Sequence, residues 1–304
     1  MTTVAAIDCG TNSIRLLIST DGPNGPVDVV RRMEIVRLGE GIDVTGRISQ
    51  AALDRTGTAL EIYSRIIDEH RPSAVRMVAT SATRDAVNAE SFSDLVMARL
   101  GIRPEVVTGD TEAHLSFTGA VADLPDTGRP RLVVDIGGGS TEFVRGVRSA
   151  DAAHSVNIGC VRMTERHLLD DPPTPEQIAE AETDIVAHVD TALAIADPRR
   201  LATELVGLAG SVTTVTALAL GLDDYLPERI HHARVPFERV AEVTDRLLRQ
   251  TRTERLTSPV MHPGRADVIG AGALVLRVIM ERTGLDHVTA SEHDILDGIA
   301  ASIR

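Results

Sequence analysis

The sequence predicts an α/β fold built from two related halves, and three observations carry that reading. The first is size and composition: 304 residues, 43% of them hydrophobic, suffice to bury the cores of two ordinary domains. The second is an internal repeat. Laying Val4 to Ile18 (VAAIDCGTNSIRLLI) over Arg131 to Arg145 (RLVVDIGGGSTEFVR) superposes Asp8 on Asp135, Gly10 on Gly137 and Ser13 on Ser140. The third is the alternation of strand-like runs with helix-like periods between and after the two copies.

Each copy reads as a buried strand ending at an aspartate, a tight turn of small residues and a returning strand. Between the copies, Leu53, Leu60, Tyr63 and Ile67 share one helical face within Ser49 to His70. Ala74 to Ala79 then reads as a strand, Ser91 to Leu100 as a helix and Glu105 to Val107 as a short strand. After the second copy, Thr174, Pro175 and Gln177 supply an N-cap, a first-turn proline and a capping-box glutamine. They open a helix that turns Ile178, Ile185, Val189 and Leu193 inward and stops before Pro198. Leu205 to Leu222 carries no charge and reaches the minimum length of a membrane-spanning helix. Its glycines (Gly207, Gly210, Gly221) and hydroxyls (Ser211, Thr213, Thr214, Thr216) instead fit strand, glycine turn and helix, so no membrane association is expected. Helices are expected over Glu238 to Arg252 and Ala266 to Met280. The Pro-, Gly- and Asp-rich segment Asp123 to Pro130 (DLPDTGRP) marks the expected boundary, giving domains 1–123 and 124–304.

Charge narrows the function classes. Against 44 acidic side chains stand 31 basic ones, a net charge of −13, and every one of the bases is arginine. A chain without lysine has no Walker A lysine, no Schiff-base lysine and no kinase strand lysine. Nor does an acidic chain offer the broad positive footprint that duplex nucleic acid requires, so an anionic partner has to be held locally. Four Phe, two Tyr and no Trp leave few stacking platforms. Two cysteines, Cys9 and Cys160, make neither a disulfide framework nor a metal spacing, and the N-terminus lacks a basic leader region. A cytoplasmic location is expected.

The two hairpin turns are the candidate site. Small residues at a hairpin tip let backbone N–H groups approach an anion closely, which is how glycine loops cradle phosphate. Gly137, Gly138 and Gly139 suit that role, with Ser140 and Thr141 adding hydroxyls, and Gly10, Thr11, Asn12 and Ser13 form the equivalent loop. A hard cation such as Mg²⁺ is held by one or two carboxylates while keeping waters and phosphate oxygens, which makes Asp8 and Asp135 candidate metal ligands. Taken singly, either loop is equally an ordinary turn capped by its aspartate; the matched pair favours function. A third loop, Gly207 to Val215 (GLAGSVTTV), places Gly210 and Ser211 at the start of a helix whose orphan amides suit an anion. No G-x-G-x-x-G, G-x-S-x-G, H-E-x-x-H or C-x-x-C pattern occurs. Cys9 has no partner histidine nearby and reads as a packed side chain. His231 and His232 are adjacent and would diverge on a helix or strand, and His287, His293 and Asp294 form no established metal spacing. The histidines therefore read as surface or core residues, not ligands.

Seven stretches carry a family resemblance: AAIDCGTNSIRLLI, MVATSATRDAVN (Met77 to Asn88), VVTGDTEAHLSF (Val106 to Phe117), LVVDIGGGSTEF (Leu132 to Phe143), NIGCVRMTE (Asn157 to Glu165), GLAGSVTT and PGRADVIGAGALVL (Pro263 to Leu276). The sequence resembles the exopolyphosphatase and guanosine pentaphosphate phosphohydrolase (Ppx/GppA) family, within the sugar kinase, Hsp70 and actin superfamily. The loops alone leave kinase, chaperone and hydrolase open; ATSATRDAVN and TGDTEA select the hydrolases. The resemblance implies two actin-like (ribonuclease H-like) domains flanking an active-site cleft. It also implies Mg²⁺-assisted release of orthophosphate from the end of inorganic polyphosphate. Guanosine pentaphosphate, a stringent-response nucleotide, is the alternative substrate, and a homodimer is compatible with either.

Carried over by motif, the family's catalytic glutamate falls on Glu112, its phosphate-facing arginine on Arg84 and a second acidic position on Glu142. That placement suits in-line attack of water on a terminal phosphoryl, which needs a carboxylate to orient the water and cations to take up equatorial charge. Arg84 is expected at a helix start just past Thr80, Ser81 and Thr83, and Arg162 and Arg265 are the next arginines to consider. Three departures from the family pattern stand out. Thr111 replaces the first of two adjacent acids, and SEHDILDGI (Ser291 to Ile299) replaces an arginine-containing turn. The longest relatives also continue into further helical domains beyond the point where this sequence stops, so a preference for short polyphosphates is expected. Two rival classes remain: an ATP-dependent kinase with an adenosine site around GLAGSVTT, and a non-catalytic polyphosphate or alarmone sensor.

Overall fold

The structure is a computed structural model that describes residues 2–23 and 25–304. In chain order, the first strands are β1 (Thr3–Cys9), β2 (Ser13–Gly22) and β3 (Gly25–Ile35). They are followed by α1 (Ile42–Thr45), α2 (Gln50–His70), β4 (Ala74–Ala79), α3 (Ser81–Asp85), α4 (Ala89–Leu100), β5 (Glu105–Val106) and α5 (Gly109–Val121). Next come β6 (Arg131–Ile136), β7 (Thr141–Gly146), β8 (Ala150–Val156), α6 (Cys160–His167), α7 (Pro175–Ala196), β9 (Glu204–Leu208) and α8 (Ala209–Ala219). The last elements are α9 (Pro227–Ile230), β10 (Arg234–Pro236), α10 (Phe237–Arg249), α11 (Arg252–Arg255), α12 (Ile269–Thr283), β11 (His287–Ala290) and α13 (Ile295–Ala301). The expected hairpins, the capping box at Thr174 and the strand–turn–helix across Leu205 to Leu222 are all present. Among the described residues no helix is long and apolar enough to cross a membrane.

The chain divides into two compact units, Met1–Gly119 with Ile295–Arg304, and Ala120–Asp294. This differs from a division after residue 123 in one substantial way: the last helix belongs with the first unit. The reason lies in β1, whose alternate residues face opposite sides of the sheet. Ala5, Ile7 and Cys9 join a core with Leu53, Leu60 and Tyr63 of α2 and Phe92 of α4. Val4 and Ala6 face the other side, where Ile295, Leu296, Ile299 and Ala300 of α13 cover them. A sheet covered on both faces reads as a continuous apolar run, as β1 does.

The two sheets restate the sequence repeat as topology. In unit 1 the order is β3-β2-β1-β4-β5, an antiparallel meander of β1 to β3 followed by β4 and β5 parallel to β1. In unit 2 the order is β10-β11-β9-β6-β7-β8, so β8-β7-β6-β9-β11 retraces the same path and β10 adds an antiparallel edge. The unit 2 core packs this sheet against α7, α8, α10 and α12, and α12 is buried nearly all round.

Candidate active site

The glycine loop of unit 2 sits at the tip of the β6–β7 hairpin. Gly137 N–H donates to Ser140 O at 3.0 Å, and Gly10 N–H to Ser13 O at 3.0 Å makes the same closure in unit 1. The carbonyls of the unit 2 loop are engaged from one side by the start of α6. Cys160 N–H donates to Gly137 O (2.9 Å), Val161 and Arg162 N–H to Gly138 O (2.9 and 3.1 Å), and Arg162 Nε to Gly139 O (2.8 Å). The amides of Gly138 and Gly139 donate to no acceptor among the described residues, which leaves them for an anion. Gly159, the residue before α6, packs directly on this loop: a Cβ there would lie 2.2 Å from Gly138 C and 2.4 Å from Gly139 N. Thr141 departs from expectation. Its hydroxyl donates to Ile158 O at 2.6 Å in the interior, so of the two hydroxyls only that of Ser140 remains for a ligand.

The repeat has diverged at one telling position. Asp8 faces Arg15 across the β1–β2 ladder, and the guanidinium donates to Asp8 Oδ2 from Nε (3.1 Å) and Nη2 (2.7 Å). The equivalent aspartate, Asp135, faces Glu142 across β6–β7, at 8% and 1% exposure. Facing residues of an antiparallel pair share one side of the sheet, so unit 2 buries two carboxylates together where unit 1 has an ion pair. On the next strand Ser155 donates from Oγ to Glu142 Oε1 at 2.7 Å and orients it. Two buried carboxylates beside an anion loop are the donor set of a hard cation. In Asp8 the Oδ2 oxygen is the one engaged by Arg15.

The third loop joins the same region of unit 2. Gly210 lies against the Arg265 guanidinium, where a Cβ would approach Cζ to 2.4 Å, and Arg265 Nη1 donates to Thr214 Oγ1 at 3.2 Å. Ser211 packs against Gly272 of α12, whose own Cβ position would meet Ser211 Oγ at 2.2 Å and Cys160 Cβ at 3.2 Å. The starts of α6 and α8, together with Arg162 and Arg265, are thereby assembled around the loops.

In unit 1 the first loop meets α3 through Thr11 Oγ1 and Ser81 Oγ, 2.8 Å apart and buried. Arg84 sits in the last turn of the five-residue α3, not at a helix start. Its Nη1 donates to Val107 O (2.9 Å) and to Glu112 Oε2 (3.1 Å). Glu112 occupies the first turn of α5, 8% exposed, where the helix dipole favours a carboxylate. Thr108 caps that turn: its Oγ1 accepts from Thr111 N–H at 3.2 Å and lies 3.1 Å from Thr111 Oγ1. Cys9 and Cys160 are free and buried, and burial pushes both thiols up, so neither is poised as a nucleophile.

Unit 1 thus joins Arg84 to Glu112, Thr11 to Ser81 and Asp8 to Arg15; unit 2 sets Asp135 opposite Glu142, braces Gly137 to Gly139 against α6, and packs Gly210 against Arg265 and Ser211 against Gly272. Sequence reasoning passed over Arg15, Gly159 and Ser155. Arg15 had a signal, since the repeat that lays Asp8 on Asp135 also lays Arg15 on Glu142. Gly159 and Ser155 had none, because their partners come from other elements.

Comparison with known proteins places the chain in a family. Residues 17–303 match the Ppx/GppA phosphatase family. The chain is 49% identical to exopolyphosphatase 2 of Mycobacterium tuberculosis, over 100% of this chain and 99% of that one. A crystal structure of an exopolyphosphatase-like protein superposes with a TM-score of 0.95 at 44% identity, covering 99% of this chain and 97% of the other. The Ppx/GppA family member of Aquifex aeolicus superposes with a TM-score of 0.83 at 29% identity, covering 99% and 97%. With two units that repeat one sheet topology, matched hairpin loops and a family match across nearly all of its length, this chain belongs to the Ppx/GppA phosphatase family.

Proposed function

We propose that the chain is an exopolyphosphatase, a phosphoanhydride hydrolase that releases orthophosphate from the end of inorganic polyphosphate. The observation that carries this reading is the glycine loop with uncommitted amides set beside the facing pair Asp135 and Glu142. The full-length likeness to a protein named exopolyphosphatase 2 supports the choice of substrate.

The roles follow from the contacts. In unit 2, amides of Gly138 and Gly139 and the hydroxyl of Ser140 hold terminal phosphate oxygens, supported by the start of α8 at Gly210 and Ser211; Gly10 to Ser13 form the equivalent loop of unit 1. Asp135 and Glu142 would hold Mg²⁺, which when bound neutralises phosphate charge. Arg84 stabilises charge on the equatorial oxygens and fixes Glu112 in the orientation where Oε2 accepts from Nη1. Glu112 takes the proton of the attacking water. A centre of this kind treats the negative charge of the whole protein as secondary, since a substrate end senses the local field of amides, cation and arginine.

Glu112→Gln should fold normally and lose phosphate release by at least about 10²-fold, the scale of a general base. Near-wild-type release would overturn the assignment. Parallel phosphate-release assays on polyphosphate and guanosine pentaphosphate decide the substrate; faster release from the nucleotide would move the proposal to that substrate while leaving the roles intact.

A further inference from the structure

We propose that Asp123, His231 and His293, with His232 beside them, form a second metal site in unit 2, suited to a Zn²⁺-class ion. The three ligand groups come from distant segments: Asp123 follows α5, His231 and His232 follow α9, and His293 follows β11. One donor atom from each of Asp123, His231 and His293 lies within 4.8 Å of the others. His231 Nε2 is 2.7 Å and His293 Nδ1 is 3.1 Å from Asp123 Oδ2, while His232 Nε2 is 3.3 Å from Oδ1.

The backbone arranges this convergence at a cost. His232 has φ +63°, a left-handed conformation that side chains with a Cβ rarely adopt. It is held there by His232 N–H donating to Ala290 O (2.7 Å) and Ala290 N–H to Ala233 O (3.0 Å). The left-handed residue turns the two adjacent rings to the same side, where they stack with centroids 3.8 Å apart. His293 is set by a reciprocal bond with Ser291, whose Oγ accepts from His293 N–H (3.0 Å) and donates to His293 O (2.8 Å). The same SEHDILDGI turn that departs from the family pattern therefore supplies one of the ligands.

The chemistry selects the ion. Imidazole nitrogens with one carboxylate suit Zn²⁺, Co²⁺ or Ni²⁺, whereas Mg²⁺ and Ca²⁺ take oxygen ligands. Ligands on a tetrahedral zinc lie about 3.3 Å apart, so the carboxylate has to withdraw by about 0.6 Å from His231. His232 also lines a surface cavity of about 500 Å³.

One contact sets a consequence of binding. Glu292 N–H donates to His231 Nδ1 at 3.1 Å, so the metal-free ring carries its proton on Nε2, aimed at Asp123. Coordination through Nε2 replaces that proton and moves the ring hydrogen to Nδ1, which the Glu292 amide opposes. Metal and amide therefore compete for His231, and loading has to shift the 291–294 turn. The Glu292 carboxylate accepts from Tyr225 Oη (2.7 Å), which also lies 2.7 Å from Thr213 Oγ1 on α8. The shift is thus transmitted towards the helix that starts at Gly210 and Ser211.

The test is titration of the full chain with Zn²⁺, and separately Co²⁺, in millimolar Mg²⁺ to fill hard-cation sites. One ion per chain is expected, with visible Co²⁺ bands of a nitrogen-ligated tetrahedral site. Asp123→Asn and His293→Ala should each weaken binding by about tenfold or more, the double variant His231→Ala/His293→Ala should abolish it, and His70→Ala should leave it unchanged. The Glu292 amide resonance should move on Zn²⁺ addition. Absence of binding by the wild-type chain, or binding unaltered in the double variant, overturns the site; if a variant fails to fold, the wild-type Co²⁺ spectrum and the Glu292 resonance still decide.

Discussion

Gly159→Ala tests the loop architecture most directly, because the added methyl meets backbone on every side. It would lie 2.2 Å from Gly138 C, 2.3 Å from Gly138 O and 2.4 Å from Gly139 N, against ordinary contacts of 3.4–4 Å. The phosphate loop and the start of α6 must therefore separate by roughly 1 Å, a shift that a rigid backbone resists. Gly159 has φ −94° and ψ 163°, a conformation open to any residue, so the penalty is purely steric. Overpacking of this kind costs about 1–3 kcal/mol, equivalent to a Tm lower by roughly 4–8 °C near the middle of that range. Displacement of the loop amides by about 1 Å should reduce kcat by about 10²-fold. Thermal melting followed by circular dichroism and phosphate release from saturating polyphosphate measure the two effects. Gly57→Ala is the control: its Cβ would meet nothing closer than Leu95 Cδ1 at 3.4 Å within helix α2, so a gain of up to about 1 kcal/mol with unchanged kcat is expected. A Gly159→Ala protein with wild-type kcat and Tm would refute the claim that the loop is braced from this side.

Two further outcomes follow from the charges. Glu142→Gln removes one of the facing carboxylates and should abolish both turnover and stabilisation by added Mg²⁺, whereas Asp8→Asn breaks an ion pair and should lower Tm. Stabilisation by Mg²⁺ that survives in Glu142→Gln, or an unchanged Tm in Asp8→Asn, would contradict these roles. Asp184 is held below its ordinary range because, against desolvation, His167 and Arg166 hydrogen-bond its carboxylate. Its contribution to stability is present above the unfolded pKa of about 3.9 and is lost as pH falls through the lower folded value. Asp184→Asn should therefore melt below wild type at pH 7, with the gap closing below about pH 4; a gap that stays constant into strong acid would contradict this.

Much of the fold was legible in short windows. The Thr174 capping box, the apolar face of Ser49 to His70 and the strand-to-helix turn at Leu208 are local rules of capping and periodicity, and the structure follows them. The candidate site was legible to the same depth. Glycine loops, Asp135, Arg84 and Glu112 lie in recognisable motifs, and Arg84 and Glu112 prove to be joined although they are 28 positions apart. What the motifs did not reveal is which polar atoms are already engaged. Thr141 looks like Ser140 in sequence, yet its hydroxyl is turned to Ile158 by the strand alternation at the end of the hairpin.

By itself the sequence determined the elements, the twofold repeat, the small-residue turns and the charge swap of Arg15 for Glu142, all properties carried by neighbours along the chain. Only the tertiary structure decided that α13 completes unit 1, that Gly159 braces the phosphate loop, and that three histidines and Asp123 meet. The physical reason is common to all three. An uncovered sheet face, a backbone-to-backbone approach and a positive φ at His232 depend on segments brought together from far apart, and no local pattern records which segments those will be.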